Sequence, residues 1–140
     1  MLKLLNAYSA EQQAIAIYKA EVFWRPSKSA SIFREVLAEE LEHQQSVSPY
    51  INSWFLVSLL TPFNYFFGCL LGSFLSILPR KVCYQIHVWA EVEAAKTYEQ
   101  TLHSLGDEAS DDLIKALRTA IAQEYSHAER FRHLIESKNK

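Results

Sequence analysis

Glu40-Leu41-Glu42-His43 and Glu124-Tyr125-Ser126-His127 are the stretches on which the reading of this chain turns. In each, a Glu precedes a His by three residues. Residues three apart lie one above the other on a helix, so each pair can offer a carboxylate and an imidazole to one metal. Working outward, each pair follows a lone carboxylate: Glu11 stands 29 residues before Glu40, and Glu91 stands 33 before Glu124. A Glu from each of two helices, plus Glu-x-x-His from each of two others, is the ligand set of carboxylate-bridged di-iron and di-manganese sites in four-helix bundles. With 13 Glu and 5 His in 140 residues, chance supplies roughly half a Glu-x-x-His match, so one match says little and two with matching partners say much. The echo extends to Tyr18, seven residues after Glu11, and Tyr98, seven after Glu91. Seven residues is close to two turns, which puts each tyrosine on its ligand's face, able to orient it.

Composition points the same way. A single domain over 1–140 can bury a proper core, and 49% hydrophobic residues with 3 Gly and 4 Pro favour an all-α fold with short loops. A formal net charge of −2 and a pI near 6.2 give no electrostatic case for nucleic acid. Cys69 and Cys83 make neither a disulfide framework nor a thiolate metal site and read as small apolar residues. The start, Met1-Leu2-Lys3-Leu4-Leu5, lacks the pattern of a cleaved export or import signal, and none is expected.

Five helical segments are predicted. The first starts near Ser9, where Ser9 and Gln12 form a capping-box pattern, and ends at about Trp24 before Pro26. The second starts within Ser27 to Ser31 and ends at about Val47 before Pro49. A long apolar stretch reaches Pro79. A fourth helix runs from Arg80 to Leu105, closed by Gly106 and Asp107, and a fifth starts near Ser110 and continues to the end. Glu21, Glu35, Glu39, Glu42 and Glu93 read as solvated, and His103 and His133 as surface residues. His87 shares a face with Glu91.

Trp54 to Leu78 is 25 residues without a formal charge, long enough to cross a bilayer. A crossing would part Glu11, Glu40 and His43 from Glu91, Glu124 and His127, so a joint metal site requires that the segment does not span. Pro62, Asn64, Gly68 and Gly72 suit a broken helix lying in the interface. The expectation is therefore a monotopic membrane contact through 54–80, with Trp54, Tyr65 and Trp89 at headgroup level and Arg80 and Lys81 near lipid phosphates. The competing reading is a buried core helix or a protein interface.

These residues together resemble the demethoxyubiquinone hydroxylases of ubiquinone biosynthesis, membrane-associated ferritin-like di-iron monooxygenases. Glu11-Gln12-Gln13-Ala14-Ile15-Ala16-Ile17-Tyr18 is similar to that family's first ligand segment, and Glu40 with His43 falls at its first Glu-x-x-His. Pro62, Gly68 and Gly72 match its hydrophobic hairpin, Glu91 with Tyr98 its third ligand helix, and Glu124 with His127 its last pair. The likeness covers residues 9 to 133 and rests on the combined spacing. Two departures stand out: Thr97 replaces the His the family usually carries before this Tyr, and apolar Trp54-Phe55-Leu56-Val57 replaces an Arg-containing stretch.

The resemblance implies a ferritin-like four-helix bundle with an additional apolar, membrane-contacting helix between ligand helices 2 and 3. It implies two Fe2+ ions on Glu11, Glu40, His43, Glu91, Glu124 and His127, with Glu40 and Glu124 bridging. Carboxylate and imidazole donors without thiolates suit Fe(II) or Mn(II). The implied reaction is O2-dependent hydroxylation of a demethoxyubiquinol ring, with NADH or the quinol as electron source and Tyr18 and Tyr98 orienting ligands or supplying protons. The implied partners are a quinol with an isoprenoid tail, a membrane surface, and a second copy or other quinone-biosynthesis proteins. The implied location is peripheral, on the cytoplasmic face of a bacterial inner membrane or the matrix side of the mitochondrial one. Two other readings use the same residues: a ferritin-like ferroxidase or peroxide-handling protein, and a non-catalytic quinone- or lipid-binding helper, which Thr97 would permit.

Overall fold

A computed structural model describes residues 2–26, 29–106 and 109–137. It is all-α: α1 (Leu2–Trp24), α2 (Ser31–Val47), a 3-10 turn (Ser48–Tyr50), α3 (Trp54–Ile77), α4 (Arg80–Leu105) and α5 (Asp111–Glu136), with no strand among the described residues. Four ligand-bearing helices with an apolar helix between the second and third is the arrangement expected of a ferritin-like bundle. Ser27 and Asp107, expected at helix ends, lie outside the described residues. The chain divides into two compact units, residues 1–77 and 78–140.

In the first unit, α1 packs against both α2 and α3. Its pairing with α2 is antiparallel: His43 meets Glu11, while Phe33 meets Tyr18, with ring centroids 6.2 Å apart. Its pairing with α3 is parallel, since Thr61 and Asn64 meet Gln12 while Leu75 meets Arg25. The seam is tight because Gly68 and Gly72 face Ala16 and Ala20: a Cβ added at Gly68 would lie 2.6 Å from Ala16 Cβ, and one at Gly72 2.8 Å from Ile17 Cα. Small residues four apart on both helices let the backbones approach.

Two expectations are corrected here. The first helix begins at Leu2 and not near Ser9, because Leu4, Leu5, Ala7 and Tyr8 are buried and continue the packed stripe toward the N-terminus. Gln12, expected in a capping box, instead donates from Nε2 to Thr61 Oγ1 at 2.7 Å and accepts from Asn64 Nδ2 at 3.0 Å. The apolar segment is not broken: α3 runs continuously through Pro62. Proline removes one backbone donor and crowds the preceding turn. Here Pro62 lies on the exposed side between Thr61 and Asn64, both tied to Gln12, and the packing holds the helix through it.

The second unit is the α4–α5 hairpin, antiparallel because His87 stacks on Phe131 while Glu91 meets His127. The Ser110 side chain caps α5 by accepting from the Leu113 N–H at 3.3 Å, and Asp111 and Asp112 complement the dipole of the first turn. Gly106 ends α4 with φ +57°, a region L side chains rarely enter.

Candidate metal centre

Each ligand helix carries a buried stripe at helical spacing with the candidate ligands in its middle, and α1 buries a second face, with Gln12 and Ala16, against α3. The stripe of α1 reads Leu4, Tyr8, Glu11, Ile15, Tyr18, and that of α2 reads Phe33, Val36, Glu40, His43, Val47. That of α4 reads Tyr84, His87, Glu91, Ala95, Tyr98, and that of α5 reads Leu113, Leu117, Ala120, Glu124, His127, Phe131. Carboxylates therefore stand where apolar side chains would normally fill the core, a costly placement unless positive charge meets them.

In the first unit, His43 Nδ1 lies 3.5 Å from Glu40 Oε2 and 3.9 Å from Glu11 Oε1. In the second, His127 Nδ1 lies 3.6 Å from Glu124 Oε2 and 3.1 Å from Glu91 Oε2, the latter a hydrogen bond that the imidazole donates when Nδ1 carries the proton. The two units thus hold the same arrangement: an imidazole meeting the Glu three residues before it and the lone Glu of the preceding ligand helix. All six residues are at most 5% exposed. Within each triplet, one ligand atom per residue lies within 4.8 Å of the others, close enough for one cation to touch all three. Two like charges buried together disfavour ionisation of both, and a dication between them removes that conflict. The donor set, hard oxygen with one nitrogen, fits Fe(II) or Mn(II).

Tyr18 and Tyr98 are buried two turns along their helices from Glu11 and Glu91. Thr97 turns its hydroxyl back to Glu93 O at 2.9 Å. His103 and His133 are exposed, as expected.

Glu21 is not solvated. It is fully buried, with Oε1 3.3 Å from Arg25 Nη2, and Arg25 also donates to Leu75 O at 3.0 Å and lies 5.0 Å over the Phe33 ring. The signal in the sequence was the four-residue Glu21–Arg25 spacing, which places both on one face. His87 is buried with its ring 4.8 Å from that of Phe131. The amide cluster of Gln12, Gln13 and Asn64 had no local signal, since its partners are about fifty residues apart.

No curated protein and no solved structure gives a significant match to the chain. A model of the family described as ubiquinone biosynthesis protein COQ7 does match, over residues 7–139. That span contains both triplets and the whole of α3, and on it the chain belongs to the COQ7 family of ubiquinone biosynthesis proteins.

Proposed function

We propose that this chain is a di-iron hydroxylase that uses O2 to hydroxylate a demethoxyubiquinol ring. The observation that carries the reading is the twofold occurrence of one buried donor set, Glu11, Glu40 and His43 in one unit and Glu91, Glu124 and His127 in the other. Each triplet would hold one iron, and the chemistry that a bound ferrous pair supplies is two-electron activation of O2. The overall balance is one oxygen atom into a ring C–H bond and the other into water, with two electrons from NADH or the quinol and two protons. The protein's part is to keep the donors dry and oriented. The Leu, Phe and Ala residues of the four stripes exclude water, and Tyr18 and Tyr98 supply hydroxyls two turns from Glu11 and Glu91 to orient ligands or pass protons.

We place α3 in the plane of a membrane interface. One face sits on α1, and the other exposes Phe55, Phe63, Phe66, Phe67 and Phe74, each more than half exposed. The side-chain hydroxyls of Ser58, Thr61, Ser73 and Ser76 each donate to the carbonyl four residues back, which masks their polarity toward an apolar medium. Because α1 runs parallel to α3 and packs along it, a spanning α3 would carry Lys19 of α1, whose Nζ meets the Tyr65 hydroxyl at mid-α3, into hydrocarbon. An in-plane helix leaves it in water or headgroups and serves a substrate whose isoprenoid tail stays in the bilayer. The location is then peripheral, on the cytoplasmic side of a bacterial inner membrane or the matrix side of the mitochondrial one.

The test is to load detergent-solubilised protein anaerobically with Fe(II), supply a short-tailed demethoxyubiquinol under 18O2, and look for labelled product by mass spectrometry while counting bound iron. Label that disappears in Glu40→Ala and Glu124→Ala supports the hydroxylase. Two irons without label overturn it in favour of a ferroxidase or a quinone-binding helper.

A further inference from the structure

We propose that a cavity at the start of α3 takes the end of a hydrocarbon chain. The proposal rests on the membrane-facing reading of α3 given above. The cavity has a volume of about 70 Å³ and lies between Leu4 and Leu5 of α1, Tyr50 at the end of the 3-10 turn, Ile51, Asn52 and Ser53 of the connection, and Leu56 of α3. Leu4, Leu5 and Ile51 are buried and, with Leu56, give it an aliphatic wall, beside which Asn52 and Ser53 are the polar lining residues. An aliphatic cavity of about 150 Å³ stays dry and accepts benzene, so about half that volume suits a fragment of about three to five carbons, such as a branched prenyl end or an acyl terminus.

Position strengthens the assignment. Leu56 lines the cavity and is also 39% exposed at the head of the apolar strip that continues through Leu59, Leu60 and Phe63. Leu56 thus joins the strip to the cavity. Beside it, Tyr8 and Trp54 meet edge to face with ring centroids 6.3 Å apart, a rigid aromatic pair joining the same two helices. A hydrocarbon end placed here would fix the lengthwise position of a tail on α3, a specificity for chain shape that a flat apolar strip does not provide.

The full-length protein in lipid nanodiscs is irradiated with either of two probes, a short prenylated quinone or a phospholipid, each with a diazirine at its hydrocarbon end. Adducts are mapped by peptide mass spectrometry. Adducts on Leu4, Leu5, Ile51 or Leu56 that are lost in Leu5→Trp, with adducts on Phe63 and Phe66 retained, support the cavity. The probe that gives them identifies the source as substrate tail or bilayer lipid. Labelling of Phe63 and Phe66 with none at the cavity by either probe overturns the proposal. If Leu5→Trp loses helical circular dichroism, Leu56→Trp at the exposed mouth replaces it. Turnover is not the readout, so cavity labelling without hydroxylation sinks only the hydroxylase reading, and hydroxylation without cavity labelling sinks only the cavity.

Discussion

Replacing Gly72 by alanine sets two physical effects against each other. Helix propensity favours Ala over Gly by about 0.8–1 kcal/mol, so an isolated α3 would gain. In the α1–α3 seam, however, the new Cβ would lie 2.8 Å from Ile17 Cα and 2.9 Å from Ala20 Cβ, and closer still to Ile17 O. Two of these are backbone atoms that no rotamer change can move. Restoring contacts of about 3.5 Å, the Ile17 O contact included, requires the helices to part by roughly 1 Å, which loosens the seam along its length. Overpacking of this kind costs about 1–3 kcal/mol, and more against backbone, so the net effect is a loss of about 1–2 kcal/mol. For a chain of this size that is a Tm lower by about 3–6 °C. Gly68→Ala has the same sign, and the double variant falls short of the sum because one parting relieves both clashes. The assay is thermal unfolding followed by far-UV circular dichroism in one lipid or detergent environment. A Gly72→Ala protein with an unchanged or higher Tm would refute the close seam, since propensity alone predicts that result.

Arg25→Met removes the guanidinium beside buried Glu21 and is expected to cost about 3–5 kcal/mol in denaturant unfolding, with Glu21→Gln in the same chain recovering much of it. Asn64→Leu deletes the bonds from Asn64 Nδ2 to Gln12 and from Gln13 to Asn64 Oδ1, and should lower unfolding stability by about 1–3 kcal/mol with iron stoichiometry unchanged. Burial first, and Tyr65 second, hold the Tyr8 hydroxyl above its ordinary value of 10.0. The neutral form is favoured in the fold, so its contribution to stability is complete below about pH 10 and is lost as pH rises through the folded value. Tyr8→Phe should remove a late-titrating tyrosine from the near-UV absorbance and flatten the alkaline fall in stability. Equal slopes in the two proteins would contradict this.

What could be read from the sequence followed helical periodicity. Glu40 with His43 and Glu124 with His127 were legible because a three-residue spacing fixes a shared face whatever the tertiary structure. Gly68 and Gly72 read as breaks in a helix, whereas they mark a close seam whose partners, Ala16 and Ala20, stand in the sequence at the same four-residue spacing. Glu21 was misread because a lone Glu on a helix is usually solvated, and its burial depends on Arg25 reaching Leu75 about fifty residues away. The helix start at Leu2 was missed because Ser9 and Gln12 imitate a cap. Gln12 is drawn instead to Thr61 and Asn64, a tertiary demand that outweighs the local pattern.

The parallel pairing of α1 with α3 also gives the first unit its contacts of greatest sequence separation. The α4–α5 hairpin closes over a short connection, and α1 with α2 likewise, whereas joining Gln12 to Asn64 must close a loop of about fifty residues. Contacts of such sequence separation slow folding, because chain entropy is lost before the contact repays it. Until that closure, the long uncharged α3 segment has both its α1-facing side and its phenylalanine side in water. During synthesis that interval is when the protein is most prone to self-association, and an apolar surface near the ribosome would shorten it.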